Sequence, residues 1–319
     1  MALHIVRYET AKNIQWGVIE GDKISPLKVP CTSTQALLEM GRDAIRQAAA
    51  DTDATIELDS VKLLSPITSS AKVLCQGANY RQHMIDSGMD PDAKTFNMFF
   101  TKSSASITDP TGDIIQPSHV KLLDYEIEMT LVLGKRTQGS ITVTNNNLHE
   151  YVAGVCIGND VSARDIQIPQ MQFHKGKSYR TFCPLGPVLC LLDKDEMHYL
   201  NEFQLKLTVN GVIRQEDSTA NLVFKPAEAL TEYSQIQDFE AGDVLMTGTP
   251  AGCALGLPSP FVVRLSALIP EAKKWQLFLK GQSRREQYLK IGDKVESTII
   301  SRDGKINLGR QSHVIRGQV

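Results

Sequence analysis

Short runs of apolar and polar positions in alternation dominate the chain, and they predict more strand than helix. Residues 15–20 and 23–27 alternate on either side of Gly21-Asp22, a two-residue hairpin turn. Residues 34–50 fit one helix instead: Ala36, Leu37, Leu38, Ile45 and Ala48 supply the apolar positions, and Ser33 or Thr34 the cap. A short strand over 62–66 then stops at Pro66. From residue 71 onward strand patterns recur, at 73–77, 97–101, 126–133, 151–159, 186–192, 205–209, 244–247 and 295–300. Residues 146–150 and 225–237 read as short helices, and 269–290 is a basic, helix-leaning stretch. The regular strand–helix alternation of a doubly wound sheet is missing, so the expected class is α+β and β-rich. A small N-terminal β-rich domain over 1–66 is expected to lean on a larger domain over 67–319.

Composition narrows this only a little. The 319 residues are 42% hydrophobic and 22% charged, with a net charge of −2, the profile of an ordinary globular protein. No basic excess points to nucleic acid, and no apolar run reaches the roughly 18 residues that span a bilayer. The N-terminal residues show no secretory pattern, so a cytoplasmic protein is expected. None of the six cysteines forms a C-x-x-C pair, and their apolar surroundings fit free thiols in a reducing compartment.

The chemistry concentrates in two acidic stretches. In Asp124-Tyr125-Glu126-Ile127-Glu128, a strand would point Glu126 and Glu128 to the same side. On an inner face they would need a partner such as a divalent cation; on an outer face they would simply be solvated. In Gly158-Asn159-Asp160-Val161-Ser162-Ala163-Arg164-Asp165, Asp160 ends an apolar strand and could complete a three-carboxylate metal site. It could equally cap a following helix. Such a triad leaves about three positions on an octahedral Mg²⁺ for water or substrate oxygens. Arg164 has the geometry for a two-pronged grip on a substrate carboxylate.

These stretches, with Gly77-Ala78-Asn79-Tyr80-Arg81-Gln82-His83, Lys175-Gly176-Lys177-Ser178, Thr181-Phe182-Cys183-Pro184-Leu185-Gly186-Pro187 and Gly242 through Pro250, resemble the signatures of the fumarylacetoacetate hydrolase family. The resemblance implies a mixed β-roll catalytic domain, a homodimer, and Mg²⁺, with Mn²⁺ or Ca²⁺ as alternatives. It implies Glu126, Glu128 and Asp160 as metal ligands and His83 as general base. Lys177 is implied near the substrate oxygens, with Arg164, Gln167 and Thr249 facing the substrate. Lys102 is a further candidate for substrate contact. Asp86 stands where the family often has a glutamate partner for the histidine, and at i,i+3 on a helical turn it could still meet His83. Arg180 and a long 252–292 segment also depart from the pattern; that segment is expected to cover the site or join a dimer contact.

The expected function is therefore metal-dependent hydrolysis of a C–C bond in a β-dicarbonyl, acylpyruvate-like acid, with water activated by His83 and Asp86. Decarboxylation of a 2-oxo acid of the oxaloacetate type, or isomerisation of an unsaturated 2-oxo acid, would use the same metal. Nothing around Cys253 marks it as an activated nucleophile.

Overall fold

The computed structural model describes every residue except Lys12, Asp53, 257–268 and Val319. Strand Ile127–Leu133 is buried along its whole length. Antiparallel pairing joins it to Val152–Asn159 on one side and Val244–Met246 on the other. The sheet continues from Val244–Met246 in parallel to Val73–Gly77, and from there antiparallel to Met98–Lys102. On the opposite side Val152–Asn159 meets Val188–Leu191, which meets Leu3–Glu9. The hairpin strands Ile14–Glu20 and Lys23–Leu27 follow. The N-terminal residues thus extend the central sheet instead of forming a separate one.

A second, five-stranded sheet runs Val212–Ser218, Phe203–Val209, Lys294–Ser301, Asn307–Gly317 and Thr111–Gln116. Alternation along the central strands divides two cores. Ile127, Met129 and Leu131 pack with Phe203, Leu205, Val295 and Ile315 between the sheets. Val132, Cys156 and Val244 face the opposite way, onto Leu37 and Ile45 of the N-terminal helices. This layered, β-rich α+β arrangement matches the expected class.

Several sequence expectations shift in detail. The helix over 34–50 divides into Thr34–Glu39 and Arg42–Ala50 at Gly41, whose φ of +81° is a left-handed conformation that glycine adopts without strain. Ser33 is the cap, accepting from the Ala36 N–H at 3.1 Å. Residues 146–150 give only the 3₁₀ turn Leu148–Glu150, and 225–237 shortens to the helix Pro226–Tyr233. The helices that carry site residues, Arg81–Asp86, Arg164–Gln170 and Phe173–Lys177, are too short to show periodicity. Among the described residues no helix is long and apolar enough to cross a membrane. All six cysteines are free thiols, five of them buried.

Candidate active site

Register brings the carboxylates together. Glu128 pairs with Gly158 and Ile127 with Asn159, while the Asp160 N–H donates to the Glu126 carbonyl at 2.8 Å. Asp160 therefore emerges beside Glu126. A side chain at Gly158 would put its Cβ 2.3 Å from Thr130 Oγ1, so the close approach of these strands needs glycine there. One carboxylate oxygen from each of Glu126, Glu128 and Asp160 lies within 4.8 Å of the others, and all three residues are buried.

Three buried cations surround this triad. Lys177 Nζ donates to Glu126 Oε2 at 2.5 Å and also to Asp160. Arg164 donates from Nε to Asp124 Oδ2 at 2.8 Å, from Nη1 to Gln167 Oε1 at 2.8 Å, and from Nη2 to Glu126. Lys102 Nζ donates to Asp160 Oδ1 at 2.5 Å and to the Phe182 carbonyl at 2.8 Å. Asp124, Glu126, Glu128 and Asp160 against these three cations leave one negative charge over. The surplus falls on Glu128, whose carboxylate accepts, among the described residues, only from the Gly248 N–H, at 2.8 Å.

The pKa directions follow. Burial raises Glu128 well above the ordinary carboxylate value, and neighbouring Asp160 and Glu126 raise it further. Burial would raise Glu126 too, but Arg164 and Lys177 reverse the effect and hold it below the ordinary value. Lys177 shows the same contest: burial opposes its charge, while Asp160 and Glu126 more than restore it. Three converging oxygen donors with one uncompensated charge fit a hard divalent ion.

Two of the three carboxylates, Glu126 and Glu128, open on a cavity of about 250 Å³. Glu126, Glu128, Arg164, Gln167, Lys177, His83 and Thr249 give it a polar wall; Met89, Met98, Phe100, Ile168, Phe173 and Leu255 give an apolar one. This is below the roughly 300–1,000 Å³ typical of drug-sized ligands, and suits a small acid.

Not every expected residue meets its expected partner. Asp86 is exposed and accepts from Gln82 Nε2 at 2.8 Å, so it does not pair with His83. An aspartate is short, and its i−4 neighbour Gln82 satisfies it locally. His83 is half-buried, its ring forms no hydrogen bond among the described residues, and it lines the cavity. Burial lowers its pKa, against the pull of Glu126. Lys102 does not line the cavity: a buried ammonium needs a counter-charge, and Asp160 supplies it. Arg164 lines the cavity, and three of its five donors go to Asp124, Gln167 and Glu126. Thr249 lines the cavity, but its hydroxyl donates to the Ile127 carbonyl at 2.9 Å and accepts from Gln215 Nε2 at 2.8 Å. Burial pushes the Cys253 thiol well up, in keeping with an unactivated cysteine.

Two supporting residues carry no local signal of their role. Asp124 orients Arg164 and also accepts from the Ala254 and Leu255 N–H groups at 2.8 and 3.1 Å. Gln215, from the second sheet, accepts from the Ile127 N–H at 3.0 Å and donates to the Pro250 carbonyl at 2.8 Å. It ties strand Ile127–Leu133 to the turn that bears Thr249. In the long 252–292 segment, helix Glu271–Gln282 anchors the cavity rim: Gln282 Nε2 donates to the Gly256 carbonyl at 2.6 Å, and Arg285 Nε to the Ala254 carbonyl at 2.7 Å. Residues 257–268 of that segment lie outside the described residues.

Comparison with known proteins agrees with this architecture. The model of the fumarylacetoacetate (FAA) hydrolase C-terminal family matches residues 72–316, and that of the Rv2993c-like N-terminal family matches residues 3–66. The chain is 37% identical over 211 residues to oxaloacetate tautomerase YisK of Bacillus subtilis (strain 168), covering 65% of this chain and 68% of that one. It is 34% identical over 252 residues to the mitochondrial oxaloacetate tautomerase Fahd2a of Rattus norvegicus, covering 78% of each. The structure of a fumarylacetoacetate hydrolase from psychrophilic Exiguobacterium antarcticum superposes with a TM-score of 0.75 at 28% identity, over 99% of this chain and 100% of that one. The chain belongs to the fumarylacetoacetate hydrolase family.

Proposed function

We propose that this chain is a divalent-metal-dependent enzyme that interconverts the keto and enol forms of a small 2-oxo diacid of the oxaloacetate class. One observation carries the reading: His83 stands on the cavity wall beside the carboxylate triad with no carboxylate bonded to it. A lone, neutral imidazole suits a proton shuttle. Water attack on an acylpyruvate would call for a His83–Asp86 dyad, and Asp86 is turned to Gln82. The names of the two tautomerase relatives support the same choice over hydrolysis.

Glu126, Glu128 and Asp160 would hold Mg²⁺, or Mn²⁺ or Ca²⁺, and a bound ion would supply Lewis-acid stabilisation of charge on the substrate oxygens. His83 takes a proton from the carbon beside the 2-oxo group and delivers it to the oxygen; the C=O bond becomes C–OH as the adjacent C–C bond becomes C=C. The reverse path returns the proton to carbon. Lys177 has one N–H left after Glu126 and Asp160, and it offsets charge that develops on that oxygen. The apolar wall of Met98, Phe100 and Phe173 keeps water from the reacting carbon.

Oxaloacetate presented as its enol, with Mg²⁺, tests the reading. Enol absorbance should decay faster with the protein than without it, ahead of any release of carbon dioxide. Stoichiometric carbon dioxide would instead favour decarboxylation, and two fragments from an acylpyruvate with no effect on the enol would favour hydrolysis.

A further inference from the structure

We propose that His83, Glu126 and Cys253 form a second, softer metal site that takes Zn²⁺ and closes the cavity to substrate. A ring nitrogen of His83, a carboxylate oxygen of Glu126 and the sulfur of Cys253 all lie within 4.8 Å of one another. Cys253 Sγ is 3.8 Å from Glu126 Oε1. Tetrahedral zinc, at about 2.3 Å from sulfur and about 2.0 Å from nitrogen or oxygen, holds its ligand atoms roughly 3.3–3.7 Å apart. Rotation of the free His83 ring, with a shift of about 1 Å, closes the set. Nothing strong holds two of the three back. The His83 ring makes no hydrogen bond among the described residues, and besides Glu126 the Cys253 sulfur has long contacts among them, to Gln215 Nε2 at 3.6 Å and the Pro250 carbonyl at 3.9 Å.

The donor set separates this site from the triad. Nitrogen, oxygen and sulfur together favour a borderline-soft ion, whereas three carboxylates favour a hard one. The ligands come from helix Arg81–Asp86, from the residue before strand Ile127–Leu133 and from the turn after Pro250, so only the folded chain assembles them. On binding, the Cys253 thiol gives its proton to the buffer, and the thiolate with Glu126 offsets the ion against nearby Arg164. A fourth position stays open to water. Zinc there takes the ring nitrogen that proton transfer needs; this inhibitory consequence, unlike the binding, rests on the proposed function.

The full-length protein, saturated with Mg²⁺, is titrated with Co²⁺ and with Zn²⁺. A thiolate-to-cobalt charge-transfer band should appear, zinc should remove it, and Cys253→Ser should show no band and bind zinc at least about tenfold more weakly. Absence of the band in the unaltered protein overturns the site, because cobalt held by the triad alone has no sulfur ligand. Unchanged zinc affinity in Cys253→Ser overturns it as well. If the band appears but enol decay is never accelerated, the metal site stands and the proposed function fails.

Discussion

Arg164 is locked to Asp124 through Nε at 2.8 Å, and this bond aims the rest of its guanidinium at Glu126. A proposed metal ligand is thus held by a buried arginine that is itself held by a second carboxylate. Arg164→Ala would leave Asp124 buried without a counter-charge and Glu126 with Lys177 alone, a loss of about 3–5 kcal/mol. Arg164→Lys has no fork to bridge both carboxylates, and should weaken Mn²⁺ binding about 10- to 100-fold. Urea unfolding checks the first, calorimetric titration the second; unaltered Mn²⁺ affinity in Arg164→Lys would remove the arginine from the metal's support.

The exposed position of Asp86 separates it from His83. Asp86→Asn should change the rate by no more than about twofold, as surface substitutions do. His83→Ala should lower it about 10²- to 10⁴-fold, the range of a lost general base. Steady-state rates of enol decay decide between them. Equal losses in the two variants would restore the dyad.

Gly176 sets the distance between the helices that carry Arg164 and Lys177. A Cβ there would stand 2.6 Å from Gln167 Cβ and 2.9 Å from the Gln167 backbone. Gly176→Ala must push Phe173–Lys177 away from Arg164–Gln170, at a cost of roughly 1–3 kcal/mol, and misplace the Lys177 ammonium. A rate loss of about tenfold or more with metal affinity largely kept is expected. Crystallography of the variant would show the displacement, and an undisturbed Lys177 would contradict it.

Acid sensitivity should arise partly from His313, buried in the second sheet. Burial drives its pKa from the ordinary 6.5 down to about 4. The unfolded chain therefore binds the proton first as pH falls, so this contribution is complete above about pH 6.5 and disappears as pH drops toward 4. The loss is roughly 3 kcal/mol. Unfolding by urea at pH 7 and at pH 4.5 reads it, and His313→Gln should flatten that part of the slope. A slope identical in the variant would assign the acid sensitivity elsewhere.

The contrast between what was readable in the sequence and what was not has a physical basis. Strands buried on both faces, such as Val73–Gly77 and Val244–Met246, announce themselves as apolar runs. Val212–Ser218 does not: it is a sheet edge with one wet face, and its Arg214-Gln215-Glu216-Asp217 run reads as a loop. Glu126 and Glu128 were legible as neighbours because a strand repeats every two residues. That Asp160 lies beside them depends on register across two strands; its place at the end of an apolar strand suggested it, and the resemblance reinforced it. The carboxylate partners of Lys102 and Arg164 depend on tertiary packing, which local spacing does not encode, whereas Gln82 lies within helical reach of Asp86. Gln215 reaches strand Ile127–Leu133 from another sheet and leaves no mark within its own segment.

Mn²⁺ binding to the purified chain tests the central claim most directly. Titration followed by the electron paramagnetic resonance of free Mn²⁺ should find one ion held per chain, displaced by Mg²⁺ and lost in Glu126→Ala, with acceleration of enol decay lost alongside it and with EDTA. Binding that persists in Glu126→Ala, or full acceleration in EDTA, would contradict the account.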